Sequence, residues 1–173
     1  MLRGQGATCR LEPRARQLQA FTTTADLRRR LQELRGSGAG AVFHAAAVSD
    51  FSFGRIFATD AVNKLVEIKS ARKIPTRQGK LLVELLPTPK IIAELRGWFP
   101  PAKIVGWKFE ADGRRAEAVE VARRQIAECS TDLCVVNGPA YGEGFGLVGK
   151  KGAPAHLANP TLLFDALEKF ARK

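Results

Sequence analysis

Two residues stand out as able to do chemistry on an anionic ligand. Asp50 closes the run Ala41-Val-Phe-His-Ala-Ala-Ala-Val-Ser-Asp50, which begins as a continuous apolar stretch and passes into small side chains. Such a run reads as a buried parallel strand, and ligands of open α/β sheets gather just beyond the carboxyl ends of strands. Asp50 there could bind a ribose hydroxyl, a base amino group or a metal-bound water. Equally, Ser49 or Asp50 could cap a following turn, as short polar residues do. Lys73 lies in the basic stretch 64–80, where Lys64, Lys69, Arg72, Lys73, Arg77 and Lys80 face Glu67 alone. A lysine in a loop can close over a triphosphate and neutralise charge developing on a leaving group. The same lysine could be an ordinary solvated charge.

Further along, Pro89-Lys90-Ile91 opens a helix whose free N–H groups could face a phosphate or a base edge, or could be a plain helix start. Asn137 ends an apolar strand and could bind a ligand or make an Asx turn. Gly142-Glu-Gly-Phe-Gly146 lacks the Lys-Ser/Thr pair of a phosphate-binding P-loop and reads as a flexible loop. His44, inside an apolar run, reads as a packed core histidine with no companion at metal-ligand spacing, and His156 as a surface residue. No Ser-His-Asp arrangement and no HExxH motif is present, so no metal ligands are assigned.

The elements that must position these residues alternate. Gln17 to Phe21 predicts a short strand. Thr22-Thr-Thr24 supplies a helix N-cap with Asp26 in the first turn; Leu27, Leu31 and Leu34 follow at helical spacing, and Gly36-Ser-Gly38 ends the helix. Ala41 to Ala45 is the next strand. Residues 51–80 read as an irregular, basic, functional loop or flap. Leu81 to Leu86 is a strand, stopped by Pro87-Thr-Pro89 before a helix at 90–95. Strands at 102–109 and 132–137 flank a long helix at 114–129, marked on one face by Ala116, Val119, Ala122, Gln125 and Ile126. A short edge strand at 147–149 precedes a closing helix that Asn159-Pro160 caps.

This alternation predicts a doubly wound, mostly parallel α/β sheet of Rossmann-like type, with a basic flap after the Ala41–Ala47 strand. The sheet reads as N-terminally incomplete. Met1-Leu2 followed by Arg3-Gly-Gln-Gly6 looks like the end of a strand, with no complete β-α unit before it.

The 173 residues, 45% of them hydrophobic, suit one α/β domain spanning 1–173. No apolar run approaches bilayer length, and the three cysteines Cys9, Cys129 and Cys134 form no CxxC pair. A soluble protein of a reducing cytoplasm is expected. The net charge of +11 calls for an anionic partner. Residues 1–35 carry eight Arg, yet there is one Tyr and no nucleic-acid-binding motif, so a phosphorylated metabolite is the better anion.

Taken in order, His44-Ala-Ala-Ala-Val-Ser-Asp-Phe51, Lys73-Ile74, Leu85-Leu-Pro-Thr-Pro-Lys-Ile91, Ile104-Val-Gly-Trp-Lys-Phe-Glu110 and Asp132-Leu-Cys-Val-Val-Asn137 resemble the phosphopantothenoylcysteine synthetase (phosphopantothenate–cysteine ligase) domain of coenzyme A biosynthesis. The resemblance implies a nucleotide-dependent ligase joining 4'-phosphopantothenate and cysteine through an acyl-nucleotidylate. CTP or ATP would be the nucleotide, with Mg2+. It implies that Ala45, Ala46 and Asp50 contact the nucleotide and that Lys73 is the catalytic flap cation. Pro89, Lys90 and Ile91 match the family's helix-start contact, and Gly106-Trp107 its Gly-Phe pair. Ser49, Arg124 and Asn137 are further candidate ligand contacts. Family members are typically homodimers paired with help from the flap.

Two departures stand beside the resemblance. The family's opening glycine-rich strand-turn-helix unit has no counterpart here. Bacterial members also carry lysines where this chain has Gln125 and Cys129, with Arg123 or Arg124 the nearest cations. The unit could be trimmed or misassigned, or supplied by another chain. Alternatively, the chain is a catalytically incomplete nucleotide-binding or protein-interaction paralogue whose sheet edge pairs with a partner.

Overall fold

The structure is a computed structural model describing residues 1–7, 14–60, 64–69, 74 and 80–172. It divides into two compact units, Met1–Ala47 with Lys90–Lys173, and Val48–Pro89 inserted between them.

The first unit holds β1 (Leu2–Gly4), β2 (Gln19–Phe21), α1 (Thr24–Glu33) and β3 (Ala41–His44) before the insertion. After it come α2 (Ile91–Trp98), β7 (Lys103–Phe109), α3 (Arg115–Cys129), β8 (Leu133–Asn137), β9 (Phe145–Gly149), β10 (Ala155–Leu157) and α4 (Pro160–Arg172), with β4 (Phe51–Thr59), β5 (Leu65–Glu67) and β6 (Leu81–Pro87) in the insertion. A five-stranded sheet runs β10-β9-β8-β7-β3. Its β3–β7 and β7–β8 pairs are parallel, while β8–β9 and β9–β10 are antiparallel. β1 and β2 form a separate parallel pair. The expected α/β architecture, with a mostly parallel sheet, is what the chain adopts.

Local chemistry explains the elements. Thr23 caps α1 by accepting from the Asp26 N–H at 3.1 Å, while the Thr22 N–H donates to the Asp26 carboxylate. Leu27 and Leu31 are buried, and Gly36 and Gly38 carry the chain out with φ of 74° and 72°. At the start of α3 the Glu117 carboxylate accepts from the Arg114 backbone N–H at 3.0 Å and from the Arg114 guanidinium. The Asn159 side chain accepts from the Leu162 N–H at 3.0 Å to begin α4.

Side chains alternate across β8. Cys134 and Val136 pack under Ala118, Val119, Ala122 and Ile126 of α3. Val135, with Val105 of β7, packs against Leu163 and Leu167 of α4 on the other face. Both faces of the sheet's centre are therefore covered, as its apolar strands require.

The insertion corrects one reading. Residues 51–80 are not an irregular loop throughout. Phe51–Thr59 (β4) and Leu65–Glu67 (β5) join Leu81–Pro87 (β6) in an antiparallel sheet ordered β5-β4-β6. Leu81–Leu86 is thus a strand, but of this sheet and not of the parallel one. A bulge between Phe53 and Ile56 breaks the period-two pattern that would have betrayed β4. At the bulge the Arg55 N–H and guanidinium both bond Glu84. The basic residues Arg72, Lys73 and Arg77 lie outside the described residues. β10 was also unforeseen, and the edge strand expected at 147–149 begins at Phe145.

Candidate functional site

In the first unit, β1 and β3 deliver the small residues that follow them to one cleft. Gly4 to Ala7 on one side and Ala45 to Ala47 on the other line a cavity of about 770 Å³, with Phe21 and Thr22. Ala45 and Ala46 therefore do line a ligand-sized space at the carboxyl end of a parallel strand, where such folds bind ligands.

Gly106 is the strand neighbour of His44 across the β3–β7 pair. A Cβ at Gly106 would lie 2.7 Å from Ile92 Cδ1 and 2.8 Å from Gln125 Nε2. A glycine here therefore lets β7 approach α2 and α3 closely, whatever else it does. Trp107 points to the opposite face and packs, half-buried, against the Val105–Leu163–Leu167 cluster. Burial lowers the pKa of His44 from its ordinary value, which favours the neutral imidazole.

The helix start lies one residue later than the reading had it. α2 begins at Ile91, and Lys90 is its N-cap, without a side-chain cap bond. Ile91 is 2% exposed, so only its backbone could meet a ligand. Lys90 Nζ lies 3.3 Å from Glu128 of α3. Arg124 is exposed on α3, and the Asn137 carbonyl accepts from the Glu110 N–H at 2.9 Å. Gln125 and Cys129, at the positions where lysines were expected, are both buried. Gln125 Oε1 accepts from the Cys134 thiol at 3.1 Å, and burial pushes the Cys134 pKa up to about 12. These positions serve the core of this chain.

In the second unit, Ser49, Asp50, Thr88 and Pro89 share one end of the antiparallel sheet. The Thr88 N–H donates to the Asp50 carbonyl at 2.9 Å, and the Thr88 hydroxyl to the Ser49 carbonyl at 2.7 Å. Ser49 Oγ donates to the Phe51 carbonyl at 2.6 Å, so Ser49 acts as the turn-former weighed above. Asp50 is exposed. Lys73 lies outside the described residues.

Two features escaped the sequence reading. Arg96 bonds the carbonyls of Ser130, Pro100 and Ala102 and the Asp132 carboxylate, tying α2 to the starts of β7 and β8. Asp132 also accepts from the Ile104 N–H at 2.7 Å. The i, i+36 spacing of Arg96 and Asp132 carries no local signal. The glycine-rich segment Gly142–Gly146 runs into β9 at Phe145, and just before it Tyr141 is 2% exposed, its hydroxyl accepting from Arg115 at 2.7 Å and meeting His156 Nδ1 at 3.2 Å. His156 is held there by a stack on Tyr141. Among the described residues no group of three His, Cys, Asp or Glu side chains could hold a metal ion.

No family model matches the sequence. Over 106 residues the chain is 34% identical to the coenzyme A biosynthesis bifunctional protein CoaBC of Thermococcus kodakarensis; the match covers 61% of this chain and 23% of that protein. This chain thus spans under a quarter of the length of that relative. The DNA/pantothenate metabolism flavoprotein from Streptococcus pneumoniae superposes with a TM-score of 0.76 at 20% identity, covering 99% of this chain and 80% of that one. The C-terminal domain of a CoaBC protein gives 0.67 at 15% identity, over 99% and 71% of the two chains. A Cab2 variant in complex with phosphopantothenate-cysteine gives 0.55 at 25% identity, over 90% of this chain and 52% of that one. In sequence the chain is a homologue of CoaBC over those 106 residues, and in fold it matches the C-terminal domain of a CoaBC protein and the Cab2 variant.

Proposed function

We propose that this chain acts in coenzyme A biosynthesis as a nucleotide-dependent ligase domain joining 4'-phosphopantothenate to cysteine. The observation that carries the reading is the cleft lined by Ala45 and Ala46 at the carboxyl end of β3, in a chain homologous to CoaBC.

The reaction would run in two displacements. A carboxylate oxygen of phosphopantothenate attacks the α-phosphorus of CTP or ATP, and pyrophosphate leaves. The cysteine amine then attacks the acyl carbon, loses a proton, and the nucleoside monophosphate leaves. In this reading Ala45 and Ala46 admit the nucleotide against bare backbone, while Asp50 accepts hydrogen bonds from it. Lys73 is the catalytic cation for the pyrophosphate. Lys90, the Ile91 N–H and Pro89 contribute at the start of α2, whose free N–H groups and dipole favour anions. Gly106 and Trp107 shape the neighbouring strand, and Ser49, Arg124 and Asn137 are peripheral contacts. The described residues offer no cage for Mg2+. Mg2+ is therefore assigned to the nucleotide's own phosphates, where hard oxygen ligands suit it, and no step is routed through it.

A homodimer is part of the proposal. The insertion exposes Phe51, Phe53, Leu65, Leu82, Leu85 and Leu86, each by 45% or more and Phe53 by 81%. So much contiguous apolar sequence on a three-stranded sheet suits pairing with a second copy. No helix among the described residues is long and apolar enough to cross a membrane, and a cytoplasmic location is proposed with the function.

A second reading, an incomplete nucleotide-binding or protein-interaction paralogue, draws support from the buried Gln125 and Cys129. Two measurements decide between them. CTP or ATP with magnesium should raise Tm, Asp50→Ala or Lys73→Ala should abolish the rise, and pyrophosphate should appear when phosphopantothenate and cysteine are added. Nucleotide binding without pyrophosphate release selects the nucleotide-binding paralogue; no Tm response to either nucleotide refutes the ligase and leaves the protein-interaction form of the second reading.

A further inference from the structure

Asp50 is fixed through its backbone while its side chain stays uncommitted. The Thr88 N–H donates to the Asp50 carbonyl at 2.9 Å, and the Thr88 hydroxyl to the Ser49 carbonyl at 2.7 Å. Ser49 Oγ in turn donates to the Phe51 carbonyl at 2.6 Å and accepts from the Phe51 N–H at 3.4 Å. Three successive residues are therefore held within one turn. The exposed Asp50 carboxylate makes no hydrogen bond or ion pair with any described residue.

The sequence gives Thr88 this place. It lies between Pro87 and Pro89, and proline has no N–H, so Thr88 carries the only backbone donor of residues 87–89. Pro87 closes β6 opposite Phe51, and the Thr88 N–H carries the pairing of β6 with the start of β4 one residue further. Any residue other than proline would supply that N–H; the hydroxyl needs Thr or Ser. Thr88 is half-buried where Pro87 and Pro89 are exposed, and its β-branched side chain is stiff at χ1, which aims the hydroxyl.

Such a clamp preorganises the residue it holds. A carboxylate whose backbone is already fixed loses little conformational freedom on binding, so ordering the turn takes little from the affinity. We propose that Thr88 is a positioning residue for Asp50: through its hydroxyl it holds the Ser49-Asp50 peptide so that the carboxylate meets a hydroxyl or amino donor of the nucleotide. The inference rests on the reading that Asp50 accepts hydrogen bonds from the nucleotide. An ionised carboxylate has no hydrogen to give, so it selects donors of that kind. Thr88 acts on the nucleotide only through Asp50.

The test is calorimetric titration of CTP and of ATP, with magnesium, into the parent chain, Thr88→Val and Thr88→Ser. Valine keeps the size and β-branching of threonine and lacks only the hydroxyl. Thr88→Val should weaken the tighter nucleotide about three- to tenfold, the scale of one net hydrogen bond. Thr88→Ser should recover affinity to within about twofold of the parent, because it keeps the donor. In NMR spectra the amide signals of β4 and β6 should stay dispersed in both variants, with changes confined to the neighbours of Asp50 and Thr88. Parental affinity in Thr88→Val would overturn the inference and leave the ligase reading standing. So would equal losses in Thr88→Val and Thr88→Ser. Collapse of the β4 and β6 signals in Thr88→Val would also overturn it, by making the hydroxyl a requirement of the fold. A parent chain that binds neither nucleotide refutes the ligase reading, and this inference with it.

Discussion

Replacing Gly106 with alanine tests whether this glycine is fixed by packing. The added Cβ would meet Ile92 Cδ1 at 2.7 Å and Gln125 Nε2 at 2.8 Å, well inside van der Waals contact. Both neighbours are side-chain ends, so the clash can relax, but neither can swing freely. Ile92 is 7% exposed, and Gln125, 4% exposed, accepts from the Cys134 thiol. Overpacking of this kind costs about 1–3 kcal/mol. Stiffening the unfolded chain returns about 0.4–1 kcal/mol. The net expectation is a loss of about 1–2 kcal/mol, or a Tm drop of roughly 2–8 °C for a chain of this size.

A double-mutant cycle isolates the clash. Ile92→Val alone removes the clashing Cδ1 and should cost about 0.5–1.5 kcal/mol. In the Gly106→Ala background that methyl is the obstacle, so Ile92→Val should cost much less there or restore stability. Chemical denaturation of the four proteins gives the coupling, expected near 1 kcal/mol. Additivity within about 0.5 kcal/mol would refute the packing account. A stable Gly106→Ala single variant would refute it more directly.

Other predictions rest on separate contacts. Arg96→Ala removes four hydrogen bonds and strands Asp132 beside the starts of β7 and β8; it should destabilise by about 2 kcal/mol by urea denaturation, while Lys at 96 restores only part. Phe53→Asp or Leu85→Lys should shift the chain from dimer to monomer in analytical ultracentrifugation without lowering Tm of the first unit; an unchanged mass would remove the antiparallel sheet as the dimer contact. Cys134, its pKa near 12 and its side chain buried, should resist thiol reagents at pH 8 until the protein unfolds. His44 has a folded pKa below its unfolded value, so the unfolded chain binds the extra proton. Its contribution to stability is complete above about pH 6.5 and declines as pH falls from there toward the folded pKa. His44→Gln should flatten Tm between pH 6.5 and 5 relative to the parent, and parallel pH profiles would refute the assignment.

Much of the first unit was legible because each of its signals is local. Thr23 and Asp26 announce α1, and the apolar runs at 41–44, 103–107 and 133–136 are too short for helices and too continuous for half-exposed strands. The insertion was illegible for a matching reason. The bulge between Phe53 and Ile56 adds one residue, so the positions sharing a face change from 51 and 53 to 56 and 58 and no single period runs through the strand. Arg96 and Asp132 were missed because an ion pair 36 residues apart leaves no trace in either neighbourhood.

The most consequential discrepancy concerns β3. The sequence reads Ala41–Ala45 as a buried strand of a parallel sheet, and among the described residues the strand Ala41–His44 pairs with β7 alone. A strand's composition records the burial for which it is suited, whereas the structure shows only the partners present. The apolar run of β3 suits a strand in the interior of a parallel sheet, and among the described residues its hydrogen-bonded neighbour is β7 alone, beside the cleft that Ala45 and Ala46 line.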